Sequence, residues 1–216
     1  MPLKHLELNE TNVADLSPLK GCPIETLTLG KTAVTDVSPL VESPLKRLEL
    51  WLTRVSNLSP LRSLPLEHLN LDYTDATDLS PLDGLSISKL NVFGCWIKDY
   101  APLASMDNLD REKRPSIPFL LGEITEQQFY ERMQERRTEK YTAEDVSQQV
   151  IIFIAMKKYA DDGPAAAIAV LEKYKEKWET EPPPWGDPDF IEALLKRLRR
   201  ELADQPAAQS PTEAGR

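Results

Sequence analysis

The sequence predicts an α/β solenoid with a parallel sheet, followed by an α-helical segment, and three observations carry that prediction. Leu3, Ile24, Leu45, Leu66 and Ile87 stand 21 residues apart, and the residues between them repeat with them. Each copy holds one short run of alternating apolar and polar residues and, a few residues later, one Ser-Pro or Ala-Pro step. The pattern then stops near Asn108, where the next apolar residue is due, and the rest of the chain divides into helical stretches. A fixed period of this length marks units that bury their apolar faces against one another, not a closed globule.

Within each copy the strand comes first, as in Lys4 to Leu8 or Arg47 to Leu50. Two columns are apolar throughout: Leu6, Leu27, Leu48, Leu69, Leu90, then Leu8, Leu29, Leu50, Leu71, Val92. The residues between them point the other way, because side chains alternate across a strand. All copies run in one direction, so the strands stack in parallel. Next comes the column Thr11, Thr32, Thr53, Thr74, Cys95, whose hydroxyls can bond backbone at the bend.

Asp15, Asp36, Asn57, Asp78 and Asp99 each precede a Ser-Pro or Ala-Pro step by two residues. They are expected to accept from backbone amides of that turn; the Gly-rich calcium nonapeptide is missing, so a cation ladder is not expected. Ser17-Pro18 and its equivalents predict short helical or 3₁₀ turns on the convex side, with Ser as N-cap and Pro at the first helical position. Gly21 and Gly84 end such turns, and Pro23, Pro44 and Pro65 lead the chain extended into the next strand.

The spacing L-x-x-L-x-L-x-x-T-x-V resembles the leucine-rich repeat, with Thr four times and Cys once where that family usually has Asn or Cys. The D-L-S-P-L run is similar to the internalin-like bacterial variety. T-x-V-x-D-L-S-P-L arrays also resemble those of planctomycete-type proteins, some of which carry a serine/threonine kinase. The likeness covers residues 1 to about 107 and implies a concave parallel sheet that binds a protein. It also implies a second reading, the regulatory or detached portion of a kinase-type signalling protein, although no Gly-rich loop, H-R-D or D-F-G is present.

Beyond the repeats, 108–118 reads as a linker or capping loop, 119–204 as a helical segment and 205–216 as a disordered tail rich in Ala, Gln, Pro and Ser. Thr125 with Gln128 forms a capping box that opens a helix to about Tyr141, and Thr142 with Asp145 opens another to about Ala160. Asp162-Gly163-Pro164 restarts the chain into a third helix through Trp178. Asp187 caps a fourth, with Pro188 at its first position, to about Leu202.

Composition narrows the function. The formal charge is −9, with 9 basic and 14 acidic residues in 1–107 and 17 and 21 in the remainder, so neither half attracts nucleic acid by bulk charge. The longest apolar run, Val150 to Met156, is far short of the roughly 20 residues of a membrane span. Without a basic and apolar leader the cytoplasm is the simplest location. Cys22 and Cys95 belong to the first and fifth copies, too far apart to bridge, and read as buried structural thiols. No catalytic motif, metal-ligand spacing or cofactor loop is present, and a non-enzyme is expected.

The outward sheet columns hold the candidate site. Trp51, Leu52, Tyr73 and Phe93 gather in the middle and late copies, flanked by Arg47, His68 and Asp72. Aromatic residues with an Arg and a polar rim are the material of protein-binding hot spots. For Phe93 and Trp96, in the last full copy, the competing reading is packing against the helical segment. The cations Lys196, Arg197, Arg199 and Arg200 close the last helix, where they favour its dipole. No polar cap precedes Leu3, so either the first strand edge pairs with another chain or the natural protein continues upstream.

Overall fold

The computed structural model describes residues 3–109, 116–120, 122–125, 127–129, 131, 143–180 and 188–204. Five short strands, β1 (His5–Glu7), β2 (Thr26–Thr28), β3 (Arg47–Glu49), β4 (His68–Asn70) and β5 (Lys89–Asn91), form one parallel sheet in chain order. Register pairs residues 21 apart, Leu6 with Leu27, Leu48 with Leu69 and Leu69 with Leu90 among them. The sequence period is therefore the strand register itself.

Between strands the chain makes 3₁₀ turns at Ser17–Leu19, Ser38–Leu40, Ser59–Leu61, Ser80–Leu82 and Ala101–Ser105. Their capping differs from expectation in one respect. Ser is not the N-cap: it is the first residue of the turn, with Pro second, and the carboxylate two residues ahead supplies the acceptor. Asp15 accepts the Ser17 amide on one oxygen and the Ser17 hydroxyl on the other, each at 2.8 Å, and Asp36 and Asp78 do the same for Ser38 and Ser80. Asn57 and Asp99 make the amide bond alone, at 3.0 and 2.8 Å. A carboxylate two residues upstream closes an Asx turn on the serine amide and takes the serine hydroxyl on its second oxygen, so the hydroxyl donates to the carboxylate instead of capping the turn.

Leaving each turn, Gly21, Glu42 and Gly84 take left-handed backbone, with φ of 74°, 72° and 74°. The third unit avoids that conformation, because Arg62 before Ser63 is helical (φ −54°, ψ −34°) where Lys20, Val41 and Asp83 are extended. Among these four only the two glycines suit φ above zero without cost.

Leu27, Leu29, Leu48, Leu50, Leu69 and Leu71 are all buried, and they form the spine of a core that continues through Ile97, Leu103 and Met106. The first unit differs: Leu6, Leu8, Val13 and Leu19 are only partly covered, and among the described residues no unit lies before them. At the other end the pattern does not stop dead at Asn108. Leu109 takes the inward place one residue late, with its amide donating to the Met106 carbonyl at 3.1 Å.

The helical segment comprises α1 (Ser116–Leu120), α2 (Ala143–Asp162), α3 (Pro164–Thr180) and α4 (Pro188–Ala203). The 108–118 stretch is thus not all loop, since α1 begins inside it. The capping box is formed as expected: the Gln128 side chain accepts the Thr125 amide at 2.9 Å and Thr125 Oγ1 accepts the Gln128 amide at 3.2 Å. The end of that helix near Tyr141, the Thr142 and Asp187 caps and the 205–216 tail lie outside the described residues. Among the described residues no helix is long and apolar enough to cross a membrane.

Candidate functional site

The outward face of the sheet ends in a column of residues that all have left-handed backbone: Glu10, Lys31, Leu52, Tyr73 and Gly94, with φ from 55° to 69°. The conformation has a local cause. It turns each amide toward the following unit, so Glu10, Lys31, Leu52 and Tyr73 donate to the carbonyls of Gly30, Trp51, Asp72 and Phe93 at 2.7 to 2.9 Å. For a Leu or a Tyr this backbone costs roughly 1–2 kcal/mol, and the bond to the next unit offsets it. Gly94 has no following unit. Its amide instead meets the Met156 sulfur of α2 at 3.3 Å.

Two aromatic rings lie against glycines of adjoining units. A Cβ on Gly30 would stand 2.0 Å from the Trp51 ring, and one on Gly94 would stand 2.1 Å from the Tyr73 ring. Each ring occupies the space a side chain would take. Trp51 is consequently partly buried over Gly30, while Leu52 beside it is 45% exposed. Phe93 is clasped between Tyr73 and Phe153 of α2, with ring centroids at 5.3 and 5.0 Å. The expected exposed cluster therefore divides: Phe93 packs under Phe153 of the helical segment, Tyr73 is half-buried beside Phe93, and Trp51 and Leu52 stay at the open face.

The polar rim divides too. Arg47 is exposed and places two nitrogens on one Glu49 oxygen, at 3.1 and 2.9 Å. His68 sits in register between Arg47 and Lys89, and its pKa is held below the ordinary value by burial first and by those two cations second. Asp72 turns inward to the scaffold, accepting the Phe93 amide at 2.7 Å, as Asn9 accepts the Gly30 amide at 2.7 Å. Burial raises the Tyr73 phenol well above its usual range, so it remains a neutral group.

Trp96, fully buried, packs on Tyr159 of α2 at 5.6 Å, and Tyr159 donates to Glu201 of α4. Arg197 of α4 donates to the Thr74 carbonyl at 3.0 Å and pairs with Asp75 at 3.2 Å. Arg199 pairs with Glu172 and Glu192. These two cations staple the helices, whereas Lys196 and Arg200 are exposed and among the described residues make no ion pair. Between α4 and the third and fourth units lies an open cleft of roughly 630 Å³, bordered by Leu52, Tyr73, Arg54, Asp75, Lys196, Arg197 and Arg200.

The remaining polar columns are structural. Thr11, Thr32, Thr53 and Thr74 hydroxyls donate to the carbonyl three residues back at 2.7 to 2.8 Å. The Cys95 thiol reaches the Leu71 carbonyl at 2.9 Å, and burial pushes its pKa up to about 11. Among the described residues no group of His, Cys, Asp and Glu is placed to hold a metal ion.

No family model matches the chain, and no curated protein is significantly similar to it. A reading by columns reaches one of two further features of the site. Gly30 beneath Trp51 was visible as a small residue next to a large one in the same column. The cleft was not visible, because it exists only where α4 meets units far away in sequence.

Proposed function

We propose that this protein is a non-enzymatic recognition module of the leucine-rich-repeat kind, a solenoid that binds a protein partner on its concave sheet face. The observation that supports this reading is the pair Trp51 and Leu52: a large ring held rigidly on Gly30 and, beside it, a leucine left 45% exposed on strained backbone. The left-handed backbone is shared by the whole column, so what sets Leu52 apart is its exposure beside the ring, and exposed apolar surface of this kind marks contact sites. Arg47 and His68 form the adjoining rim. On this reading the chain works in the bacterial cytoplasm as a scaffold or signalling component, an expectation carried by the sequence alone.

The test is affinity capture with the intact chain, followed by affinity measurement on the captured protein. Trp51→Ala should cost on the order of 2 kcal/mol of binding, as central aromatic anchors do. Because the ring also covers Gly30, the same change should lower stability by about 1 kcal/mol. Arg47→Ala should weaken the partner less, and Arg62→Ala, on the exposed turn of the third unit, should leave it unaltered. Loss of stability with no loss of affinity would reject the reading.

A further inference from the structure

The cleft between α4 and the third and fourth units has an apolar floor and a wall of unequal cations. Leu52 and Tyr73 make the floor. On the wall, the inner cation is already satisfied: Arg197 holds Asp75 at 3.2 Å, and Arg54 approaches the same carboxylate at 3.8 Å. The outer two are not. Lys196 and Arg200, four residues apart and so on one face of α4, border the same cleft, are exposed and have no carboxylate among the described residues. Asp75 thus displays in place the kind of group the wall takes, and the outer positions offer room for more of it.

We propose that this cleft receives a short acidic peptide segment of a partner protein, with one apolar side chain on Leu52 and flanking carboxylates on Lys196 and Arg200. The proposal rests on the recognition reading above and names the chemistry of what is recognised. An oily side chain is required because Leu52 would otherwise leave its surface in water. Acidic neighbours are required because the two unpaired charges lie beside it, and complementary charge both steers and selects a partner.

Fluorescein-labelled short peptides with one leucine or phenylalanine among aspartates, and matched peptides with lysines instead, are titrated with the full chain by fluorescence anisotropy. The acidic set should bind with Kd of roughly 10 to 100 μM and the lysine set not at all. Raising sodium chloride from about 0.05 to about 0.5 M should weaken binding several-fold, since exposed charges are screened. Lys196→Glu with Arg200→Glu should reduce affinity at least about 10-fold, and Leu52→Ser by about 10-fold, while a thermal melt of each variant confirms an intact fold. Three results would overturn the proposal: no binding of the acidic set at about 1 mM, equal binding of both sets, or displacement of the peptide by single-stranded DNA. Binding that ignores the Lys196, Arg200 pair but is lost in Trp51→Ala would also overturn it, and would leave the concave-face reading standing.

Discussion

At the N-terminal end of the sheet Leu3 is 52% exposed and Leu6, Leu8, Val13 and Leu19 are only partly covered, whereas at the C-terminal end Trp96, Ile97 and Met106 are fully buried. Val13 shares its column with Ile97 and Leu19 with Leu103, so for these pairs composition does not make the difference. What differs is the neighbour. Each unit has an apolar flank on both sides and covers one flank of the next, and among the described residues the far flank of the last unit is covered by helices. There α2 lays Phe153, Met156 and Tyr159 on Phe93, Gly94 and Trp96. A repeat therefore has no fixed stability of its own; it takes the stability of its position in the row.

Substitutions can break this contrast. Trp96→Ala should have the largest effect, about 3–5 kcal/mol in urea unfolding, because it empties the joint between the row and its cover. A loss near 1 kcal/mol would mean that the helices do not stabilise the last unit. Leu48→Ala in the middle should cost about 2–4 kcal/mol, against about 1 kcal/mol for the equivalent Leu6→Ala at the open end. Equal costs would mean that the first unit is covered in solution, and a concentration-dependent melting temperature would then point to another chain.

Two glycines sharpen the comparison. Gly84→Ala meets nothing within 4 Å and should cost only the left-handed backbone, about 1 kcal/mol, whereas Gly94→Ala meets the Tyr73 ring and should cost about 2–3 kcal/mol. The Gly94 substitution should partly recover on Tyr73→Ala, which a double-mutant cycle reads directly.

Protonation should give the smallest changes, and in two steps. His68 has its folded pKa lowered, so the unfolded chain binds the proton more readily; its contribution is complete above about pH 6.5 and is lost as pH falls below that. Asp15 and Asp36 are lowered by their bonds from Ser17 and Ser38, so theirs is complete above the usual carboxylate range and is lost as pH falls through the lower folded values. A denaturant midpoint followed from neutral to acid pH should drop twice, and His68→Asn should remove only the first drop.

Much of the repeat half was legible before any coordinate, and for a physical reason. A unit that packs on its own copies must put the same residue in the same place, so columns in the sequence are contacts in space. The register of Leu6, Leu27, Leu48, Leu69 and Leu90, the threonine bonds and the aspartate caps all follow from that rule. The serine assignment failed because Ser and Asp both suit a helix start, and which one accepts depends on a two-residue difference in reach. The helical half offered boundaries but not placement: the Thr125 and Gln128 box and the Gly163-Pro164 break are local, whereas the seat of α4 against Thr74 and Asp75 is set by packing between parts 123 residues apart. For the same reason the sequence could mark Phe93 as outward-facing without revealing that Phe153 of α2 would pack on it.

The left-handed column gives the row a direction. Glu10, Lys31, Leu52 and Tyr73 each hand an amide forward to the next unit, and only Gly94, at the far end, must find its acceptor in a helix. Growth is thus inexpensive everywhere except at that last joint. A further 21-residue copy spliced between the second and third units would find a donor behind it and a carbonyl ahead, and would lengthen the sheet by one strand spacing, about 4.8 Å, without disturbing Met156 or Trp96. The reach of the open face is in that sense a parameter of the gene, set by duplication, while the helical end remains a single fitted part.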